Sequence, residues 1–396
     1  MTSQAVMSGF PPAPAGQVTL ANWRTPPFSR WAFQHVREIL PTAGIAQDPA
    51  GVRALPEAPV DLGGFRVDGM GLDAFLAATD TDGIVVLRDG RVALERYANG
   101  MDARTPHILM SVSKSMLGIL AGILVARGVL DLDEDATRLV PEIARSAWRG
   151  ARLRHLLDMR AGILFDENYL ATSGAIIRYR KAQGWNPPDP GEAPGDLRGF
   201  FATLDESDGS HGGRFHYVSP NTDLLGWIIE RATGERYADL AARLLWQPMG
   251  AAEPAFITVD RLGAPRCAGG FCATTRDLAR VGLLLAEGGR RDGRQVVPAE
   301  WIESVERDGD EEAWNRGDFA GYYKGMRMHY RSKWYVLKDG APMLFGMGVN
   351  GQNLFVDRES GIVIAKFSSQ EAAMDEARIA LTMRGIAALR AELARR

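Results

Sequence analysis

The chain has 396 residues, of which 46 are Lys or Arg and 49 are Asp or Glu, so its formal net charge is −3 at pH 7. A balance this close to zero argues against a dedicated nucleic-acid-binding protein, which would carry a basic excess on one face. Hydrophobic residues make up 46% of the chain and charged residues 24%, which excludes wholesale disorder. The length fits two domains, or one large domain with an insertion.

The basic residues divide into 40 arginines and six lysines, and there are two cysteines. Two thiols exclude a disulfide scaffold and cannot form a four-ligand zinc site without histidines. The first 16 residues lack the basic and apolar regions of a secretory signal. The longest apolar run, 116–126, is too short to cross a bilayer. These features predict a cytoplasmic protein without a membrane partner.

Periodicity and turn residues predict a helix-rich middle between two β-hairpins. The first 27 residues are rich in Pro, Gly and Ala and are expected to wrap over the surface without a core of their own. A Pro- and Gly-rich stretch at 183–197 predicts a long exposed loop. The predicted elements in chain order are a helix in 28–40, a hairpin in 83–97 with a turn at Asp89-Gly90, helices in 224–245 and 274–289, a hairpin in 353–369, and a long amphipathic helix from 374 onward. Strands from both chain ends predict one mixed sheet with a helical insertion packed against it.

A Ser-x-x-Lys pattern opens the most apolar segment of the chain. Ser111 would lie at the start of a helix and Lys114 one turn later, so that their side chains share a face. A serine hydroxyl becomes a good nucleophile when a base removes its proton, and a lysine with a lowered pKa is such a base, whereas an arginine is not. The alternative is a polar helix start with a snorkelling lysine. A charge on an apolar helix favours the catalytic interpretation of Lys114, with the other five lysines as surface residues.

Two further segments are expected at the same cleft. Tyr217 precedes an apolar helical segment, and a neighbouring ammonium would lower the pKa of its phenol and suit it to be a base or proton relay. The alternative is a tyrosine that anchors a turn, with Asn221 or Thr222 as the helix cap. The glycines in GMGVNGQ, at 346–352, let the backbone approach a ligand and complete an oxyanion hole, or they form a Gly-rich strand entry.

In this order and spacing, the three segments resemble the serine β-lactamase and penicillin-binding-protein superfamily. The chain has no SDN or KTG motif, and Tyr217 in the second motif points to the class C-like and esterase branch. Within that branch the chain is similar to the 6-aminohexanoate-dimer hydrolases (nylon-oligomer hydrolases) and their carboxylesterase relatives. The stretches that carry this similarity are NWRTPPFSRWAF (22–33), LMSVSKS (109–115), FDENY (165–169), GW (184–185), FHYVSPNTD (215–223), TTRDLARVG (274–282), GVNGQNLFVD (348–357) and AKFSS (365–369).

The resemblance implies a fold and the catalytic residues. The fold would be β-lactamase-like, of the α/β (α+β) class, with an antiparallel sheet flanked by helices from both chain ends. This sheet domain would comprise residues 1–130 and 230–396, and a mostly helical insertion domain would comprise 131–229. The resemblance also implies that Ser111 is the nucleophile and that Lys114 and Tyr217 handle the proton. The N–H groups of Ser111 and Val349 would form the oxyanion hole.

The residues that would contact the substrate match the family only in part. Tyr169 and Trp185 would line the cleft, and Tyr169 would donate a hydrogen bond to the leaving amide nitrogen. The family usually has histidine in the third motif, where this chain has Asn350. The dimer-hydrolysing members have an acid and an asparagine where this chain has Arg180 and Ala268, and Arg180 would repel a substrate amino group or attract a carboxylate. These departures argue against efficient cleavage of the nylon dimer, but they do not argue against acyl transfer to Ser111.

The sequence therefore predicts a serine hydrolase that cleaves a small ester or amide through an acyl-enzyme, without a metal or organic cofactor. The sequence does not determine the oligomeric state, and a homodimer is compatible with the sequence. One alternative is a β-lactamase or D-alanyl peptidase, against which the missing signal sequence counts. Another is a catalytically silent ligand-binding protein on the same fold. A Ser-His-Asp hydrolase is disfavoured because the chain has no G-x-S-x-G motif.

Overall fold

Residues 6–395, which the computed structural model describes, contain three sheets of seven, four and two strands. Every strand pairing in them is antiparallel. The strands are β1 (Thr42–Ile45), β2 (Thr81–Arg88), β3 (Arg91–Tyr97), β4 (His107–Ile108), β5 (Ala255–Thr258), β6 (Phe271–Ala273), β7 (Arg290–Arg291), β8 (Arg294–Gln295), β9 (Met328–Arg331), β10 (Trp334–Leu337), β11 (Met343–Gly348), β12 (Gln352–Asp357) and β13 (Ile362–Ser368).

The helices lie mostly between the two groups of strands that form the large sheet. They are α1 (Phe28–Ala32), α2 (Leu72–Ala78), α3 (Val112–Ala126), α4 (Ala136–Leu139), α5 (Leu153–Leu157), α6 (Ala175–Ala182), α7 (Leu197–Phe201), α8 (Ser219–Thr233), α9 (Tyr237–Ala241), α10 (Gln247–Met249), α11 (Thr275–Ala286), α12 (Ala299–Arg307), α13 (Glu311–Asn315) and α14 (Glu376–Ala394). None of the helices in the described part of the chain has the length and apolar composition needed to cross a membrane.

The large sheet joins both ends of the chain, as predicted. Its spatial order is β3-β2-β13-β12-β11-β10-β9, so the first hairpin pairs with the last strand. The expectation of a mixed sheet was wrong. Short hairpins connect all neighbouring strands except β13 and β2, and such connections enforce antiparallel pairing. Strands β13 and β2, from the two chain ends, also run antiparallel. The four-stranded sheet, in the order β1-β5-β6-β4, was not predicted, since its strands have only two to four residues each.

Both predicted hairpins and the C-terminal helix are confirmed. The turn between β2 and β3 has positive φ at Asp89 (49°) and Gly90 (75°), as a two-residue type I′ turn requires. The second hairpin is formed by β12 and β13, and α14 follows it. Arg396, at the end of the predicted helix, lies outside the described residues.

Two predicted helices are shorter than expected. The helix in 28–40 ends at Ala32, because the carbonyl of Phe33 accepts a hydrogen bond from the N–H of Ile108 in β4. The segment 224–245 is divided at Gly234, whose left-handed backbone (φ 70°) ends α8. The stretch before α7 is a loop, as predicted.

The N-terminal segment is more deeply packed than the sequence suggested. Trp23 is buried and packs edge-to-face on Trp185, with ring centroids 5.0 Å apart. It also donates a hydrogen bond from its indole N–H to the Trp185 carbonyl. Tryptophan buries a large area with two side-chain torsions, which anchors this otherwise Pro- and Gly-rich segment. Residues 1–5 of the segment lie outside the described part of the chain.

The large sheet packs helices on both of its faces, because its strands alternate apolar side chains between them. On β13, Val363 and Ala365 belong to the core that includes α3 and α11, and Ile362 and Ile364 belong to the core that includes α14. Helix α3 also packs against β11 and α8, so its N-terminus lies at the seam between the sheet and the helices of 131–229. The division of the chain into two domains at these positions stays a prediction.

Candidate active site

The predicted nucleophile and base meet at the start of α3. Met110 has a left-handed backbone (φ 45°) that turns the chain from β4 toward Ser111, the residue immediately before α3. One turn later, Lys114 places its Nζ 2.8 Å from Ser111 Oγ. The same Nζ donates a hydrogen bond to the carbonyl oxygen of Ala268 at 2.7 Å. The spacing of the two residues on one helix face therefore produces a direct contact.

Lys114 is buried, with 1% of its surface exposed, and burial lowers the pKa of its amine to about 7. Desolvation disfavours the charged form, and the charge of Arg266 lowers the pKa further. The negative charges of Glu167 and Asp223 act in the opposite direction. In a large fraction of the protein molecules the Lys114 amine is therefore neutral near pH 7, and a neutral amine accepts a proton from a serine hydroxyl.

The phenol of Tyr217 lies in the same buried group. Lys114 Nζ is 4.8 Å from the centre of its ring, and Tyr217 is 3% exposed. Its pKa was expected to fall beside an ammonium, and this expectation was wrong. Burial and the negative charge of Glu167 raise the pKa of Tyr217, and the hydrogen bond with Ser111 offsets them only in part. Tyr217 is therefore a protonated phenol at neutral pH, suited to donate a proton.

Burial is not unique to Lys114 among the lysines, contrary to the sequence-based expectation. Lys333 donates to the carbonyl of Leu156 at 2.6 Å, and Lys366 contacts the hydroxyl of Ser368. Both are buried, and desolvation lowers the pKa of each, in Lys366 to about 7. A lowered pKa alone does not mark the lysine at the site. What distinguishes Lys114 is its contact with a serine that opens onto a cleft.

That cleft has a volume of about 280 Å³. The N-terminal segment forms one wall, α6 and the loop after it form another, and the turn after β11 forms a third. The site residues named from the sequence that line it are Ser111, Tyr169, Arg180, Trp185, Val349 and Asn350, together with Ala268.

The end of β11 lies directly against the backbone of Ser111. A Cβ atom on Gly348 would be 2.9 Å from Ser111 N and 2.7 Å from the carbonyl oxygen of Leu109, so only glycine permits this approach. Val349 follows at the cleft. Within residues 6–395, the N–H of Ser111 donates to no protein acceptor. The geometry thus leaves a donor open beside the nucleophile.

Tyr169 and Trp185 are held in place by hydrogen bonds. Tyr169 donates from its hydroxyl to Glu167 Oε1 at 3.3 Å, and Trp185 donates from its indole N–H to Thr258 Oγ1 at 3.2 Å. Trp185 is buried, so it presents a fixed apolar surface to the cleft. Burial raises the pKa of Tyr169 well above its usual value, which keeps its hydroxyl protonated.

Asn350 shapes the turn after β11. Its backbone is left-handed (φ 60°), a conformation that asparagine tolerates better than most residues. Its Nδ2 donates to the carbonyl of Gln370 at 2.7 Å, and its N–H donates to the carbonyl of Ala373 at 3.0 Å. The side-chain amide of Asn350 is therefore engaged in holding the segment after β13.

Several charged residues of the site were missed. Glu167 accepts hydrogen bonds from Ser219 N at 2.9 Å and from Ser219 Oγ at 2.6 Å, at the start of α8. Asp223 pairs with Arg266 at 2.6 Å and accepts a hydrogen bond from the N–H of Ala268, the residue whose carbonyl binds Lys114. Glu167 and Asp223 lie in the stretches FDENY and FHYVSPNTD, where the similarity was a usable signal. Arg266 lies outside the matched stretches.

Comparison with known proteins confirms the resemblance. A model of the Beta-lactamase family matches residues 72–388. The 6-aminohexanoate-dimer hydrolase of Paenarthrobacter ureafaciens is 36% identical over 360 residues, which are 91% of this chain and 90% of that protein. Esterase EstB of Burkholderia gladioli is 30% identical over 199 residues, which are 44% of this chain and 47% of that protein.

A solved structure supports the same fold. It is a candidate 6-aminohexanoate-dimer hydrolase from Bacillus anthracis, with a TM-score of 0.86, 24% sequence identity and coverage of 94% of this chain and 96% of that chain. The predicted β-lactamase-like fold is therefore confirmed. Since the family model spans most of the chain and the relative from Paenarthrobacter aligns over nine-tenths of it, this chain belongs to the beta-lactamase family of serine hydrolases.

Proposed function

We propose that this protein cleaves a small ester or amide through an acyl-enzyme formed on Ser111. The observation that carries the proposal is the 2.8 Å contact between Ser111 Oγ and the amine of Lys114, whose pKa is about 7, beside an open cleft. Nucleophilic catalysis by serine requires an adjacent base that is unprotonated at the working pH. Lys114 meets this requirement.

In the acylation step, the amine of Lys114 accepts the proton of Ser111 as Oγ attacks the substrate carbonyl. The hydrogen bond from Lys114 to the carbonyl of Ala268 fixes the amine and directs its lone pair to Oγ. The C–O double bond opens to an oxyanion, which the N–H groups of Ser111 and Val349 stabilise. The proton then moves through the phenol of Tyr217 to the leaving oxygen or nitrogen as the bond to it breaks.

In the deacylation step, water attacks the acyl-enzyme carbonyl and loses a proton to the same pair. As the bond between the acyl carbon and Ser111 Oγ breaks and the acid product forms, Tyr217 donates its phenol proton to Oγ and recovers one from Lys114, so neither residue changes its net protonation over a cycle. The raised pKa of Tyr217 and the lowered pKa of Lys114 favour this direction of transfer. Tyr169 would donate a hydrogen bond to a leaving nitrogen by turning its single hydroxyl proton away from Glu167.

The names of two relatives are the basis for proposing which bond, ester or amide, this protein cleaves. One is named as a 6-aminohexanoate-dimer hydrolase and another as an esterase. Since acyl transfer to Ser111 is the step shared by both reactions, we expect carboxylesterase activity on short esters. Arg180 and Ala268 replace residues of the dimer-hydrolysing pattern, so we expect cleavage of the 6-aminohexanoate dimer to be slow.

The first prediction concerns the nucleophile. Ser111→Ala should lower the turnover of p-nitrophenyl butyrate by at least 10³-fold, because no other group replaces the attacking oxygen. A fluorophosphonate should add one adduct to the wild-type protein and none to the variant, as measured by intact-mass spectrometry. Ser173→Ala, at an exposed serine, is the matched control and should retain both activity and adduct.

Other results would favour the alternatives. An unmodified wild-type protein that turns over no ester would indicate a silent ligand-binding protein and overturn the proposal. Faster turnover of a chromogenic cephalosporin than of p-nitrophenyl butyrate or the 6-aminohexanoate dimer would indicate a β-lactamase. Full activity in Ser111→Ala would remove Ser111 from the mechanism.

A further inference from the structure

We propose that the cleft binds substrates that carry a carboxylate, held between the guanidinium groups of Arg24 and Arg180. This inference rests on the proposed function, since the same cleft contains Ser111. Arg24 reaches the cleft from the N-terminal segment, and Arg180 reaches it from α6. Two elements that are far apart in sequence thus place positively charged side chains at the same cleft.

The two arginines lie close enough to repel one another. Burial, together with the charges of Arg180 and Arg266, lowers the pKa of Arg24 to about 9. Burial also lowers the pKa of Arg180. Because the charge of Arg180 depresses the pKa of Arg24, an anion bound between the two side chains would relieve this repulsion.

Neither arginine has a carboxylate partner among residues 6–395, within 4.0 Å. Arg24 donates to the Asn186 side chain, and its Nε is buried without an acceptor. Arg180 donates to the carbonyl of Tyr169 at 3.1 Å. Arg266 differs from both, because it is paired with Asp223 at 2.6 Å. Both guanidinium groups are only partly exposed and lack a carboxylate partner in the described structure, so they point to an anion from outside the protein.

The carboxylates at the cleft do not neutralise this pair. The oxygens of Glu167 accept hydrogen bonds from Ser219 and Tyr169, although its charge partly offsets the effect of burial on the pKa of Arg180. Glu371 is exposed at the rim, where water and salt screen its charge. A substrate carboxylate would supply the planar pair of acceptors that guanidinium groups bind best.

The carboxylate could lie on the acyl side or on the leaving group, and two pairs of esters distinguish these positions. Mono-p-nitrophenyl adipate is compared with p-nitrophenyl hexanoate for the acyl side. 4-Acetoxybenzoate is compared with 4-acetoxybenzamide for the leaving group. We expect kcat/KM of the wild-type protein for the anionic member of at least one pair to exceed that of its neutral partner about tenfold, mainly through KM.

Arg24→Gln and Arg180→Gln should each reduce this anionic-to-neutral ratio about tenfold, because each removes one charge and keeps hydrogen-bond donors. Arg145→Gln, at an exposed arginine without an ion pair in the described structure, is the charge-matched control and should leave the ratio unchanged. A ratio at or below one in both pairs would overturn the inference. So would a ratio that neither cleft substitution changes.

A binding measurement separates this inference from the proposed function. Adipate and hexanamide are titrated by calorimetry into the wild-type, Arg24→Gln and Arg180→Gln proteins, with folding checked by circular dichroism. We expect adipate to bind the wild type more tightly than hexanamide and to lose about tenfold in affinity in each variant. If no ester is turned over but adipate binds in this way, the proposed function fails and the carboxylate site stands. If neutral esters are turned over and adipate binds no better than hexanamide, only the inference fails.

Discussion

In the proposed mechanism Lys114 has to be neutral to accept the proton of Ser111, and this would set the pH dependence of the reaction. The pKa of the Lys114 amine is lowered to about 7, so the reactive form predominates above that value and is lost as the pH falls through it. We expect kcat/KM for p-nitrophenyl butyrate to rise with pH with a midpoint near 7. Because the pKa of Tyr217 is raised, the phenol should cause no loss of activity up to pH 9.

Glu167 offers a test of that assignment, since its negative charge raises the pKa of Lys114. Glu167→Gln removes the charge and keeps an acceptor for Ser219, so the midpoint of the rising limb should move to lower pH. A pH–rate profile of kcat/KM measures it, with Glu371→Gln at the exposed rim as the control whose midpoint stays fixed. An unchanged or higher midpoint in Glu167→Gln would show that Lys114 does not produce the limb.

At the scale of single residues, local sequence pattern predicted contacts only between partners that are close along the chain, whereas Tyr217 was placed at the site by the order of the motifs and by the resemblance. Ser111 and Lys114 are three residues apart on one helix, so their contact followed from helical periodicity. The groups that tune Lys114 come from distant segments, Asp223 and Arg266 among them, and no local pattern relates them to α3. The pKa of Tyr217 was misjudged for the same reason, because the extent of its burial depends on packing between elements.

Among the secondary-structure elements, the contact between β11 and the start of α3 would determine the proposed oxyanion site. Gly348 and Gly346 lie on the same face of β11, two residues apart, and both face α3. A Cβ on Gly348 would meet backbone atoms of Leu109 and Ser111, which cannot move without moving the Ser111 side chain. A Cβ on Gly346 would meet the side chains of Ser115 and Val112, which adjust more easily.

Gly348→Ala should therefore lower kcat for p-nitrophenyl butyrate about 10²-fold, the usual effect of disturbing one oxyanion donor. Gly346→Ala adds the same methyl group to the same strand and should keep kcat within about threefold. Steady-state kinetics of the two variants, with thermal unfolding to confirm that both fold, makes the comparison. Equal losses in the two variants would mean that the strand affects the site only through general packing.

The elements differ in how well their sequences specify them. The hairpins were predictable because Asp89-Gly90 and the flanking β-branched residues are local signals. The early end of α1 was not, because it depends on Phe33 giving its carbonyl to β4, a strand 74 residues later. The short strands of the second sheet are likewise specified by their partners rather than by their own composition.

Across the whole molecule, the two chain ends are joined by ion pairs as well as by strand pairing. Asp80, just before β2, pairs with Arg30 of α1 at 3.3 Å and with Arg378 of α14. Its carbonyl also accepts a hydrogen bond from the N–H of Ser369, just after β13. One residue thus connects the N-terminal segment, the ends of β2 and β13 in the large sheet and the C-terminal helix, next to the segment that forms a wall of the cleft.

This junction predicts a measurable loss of stability. Asp80→Asn removes the charge but keeps a residue that tolerates the left-handed backbone there (φ 46°), so it should lower the free energy of unfolding by about 1 kcal/mol. Asp80 and its two arginines are only partly buried, so the loss should shrink in 1 M NaCl. Urea unfolding at low and high salt measures the difference.

Asp68→Asn is the matched control for the junction, because Asp68 has a similar backbone (φ 48°) and pairs with Arg384 of the same helix, α14. Both side chains of that pair are exposed, and the pair joins only two elements, so its loss should change stability less. If the two variants lose the same stability, or if salt does not alter the effect of Asp80→Asn, the chain ends are held by apolar packing and strand pairing alone. The expected order, with Asp80 the more costly and the more salt-dependent, would show that this single carboxylate couples the cleft wall to the sheet.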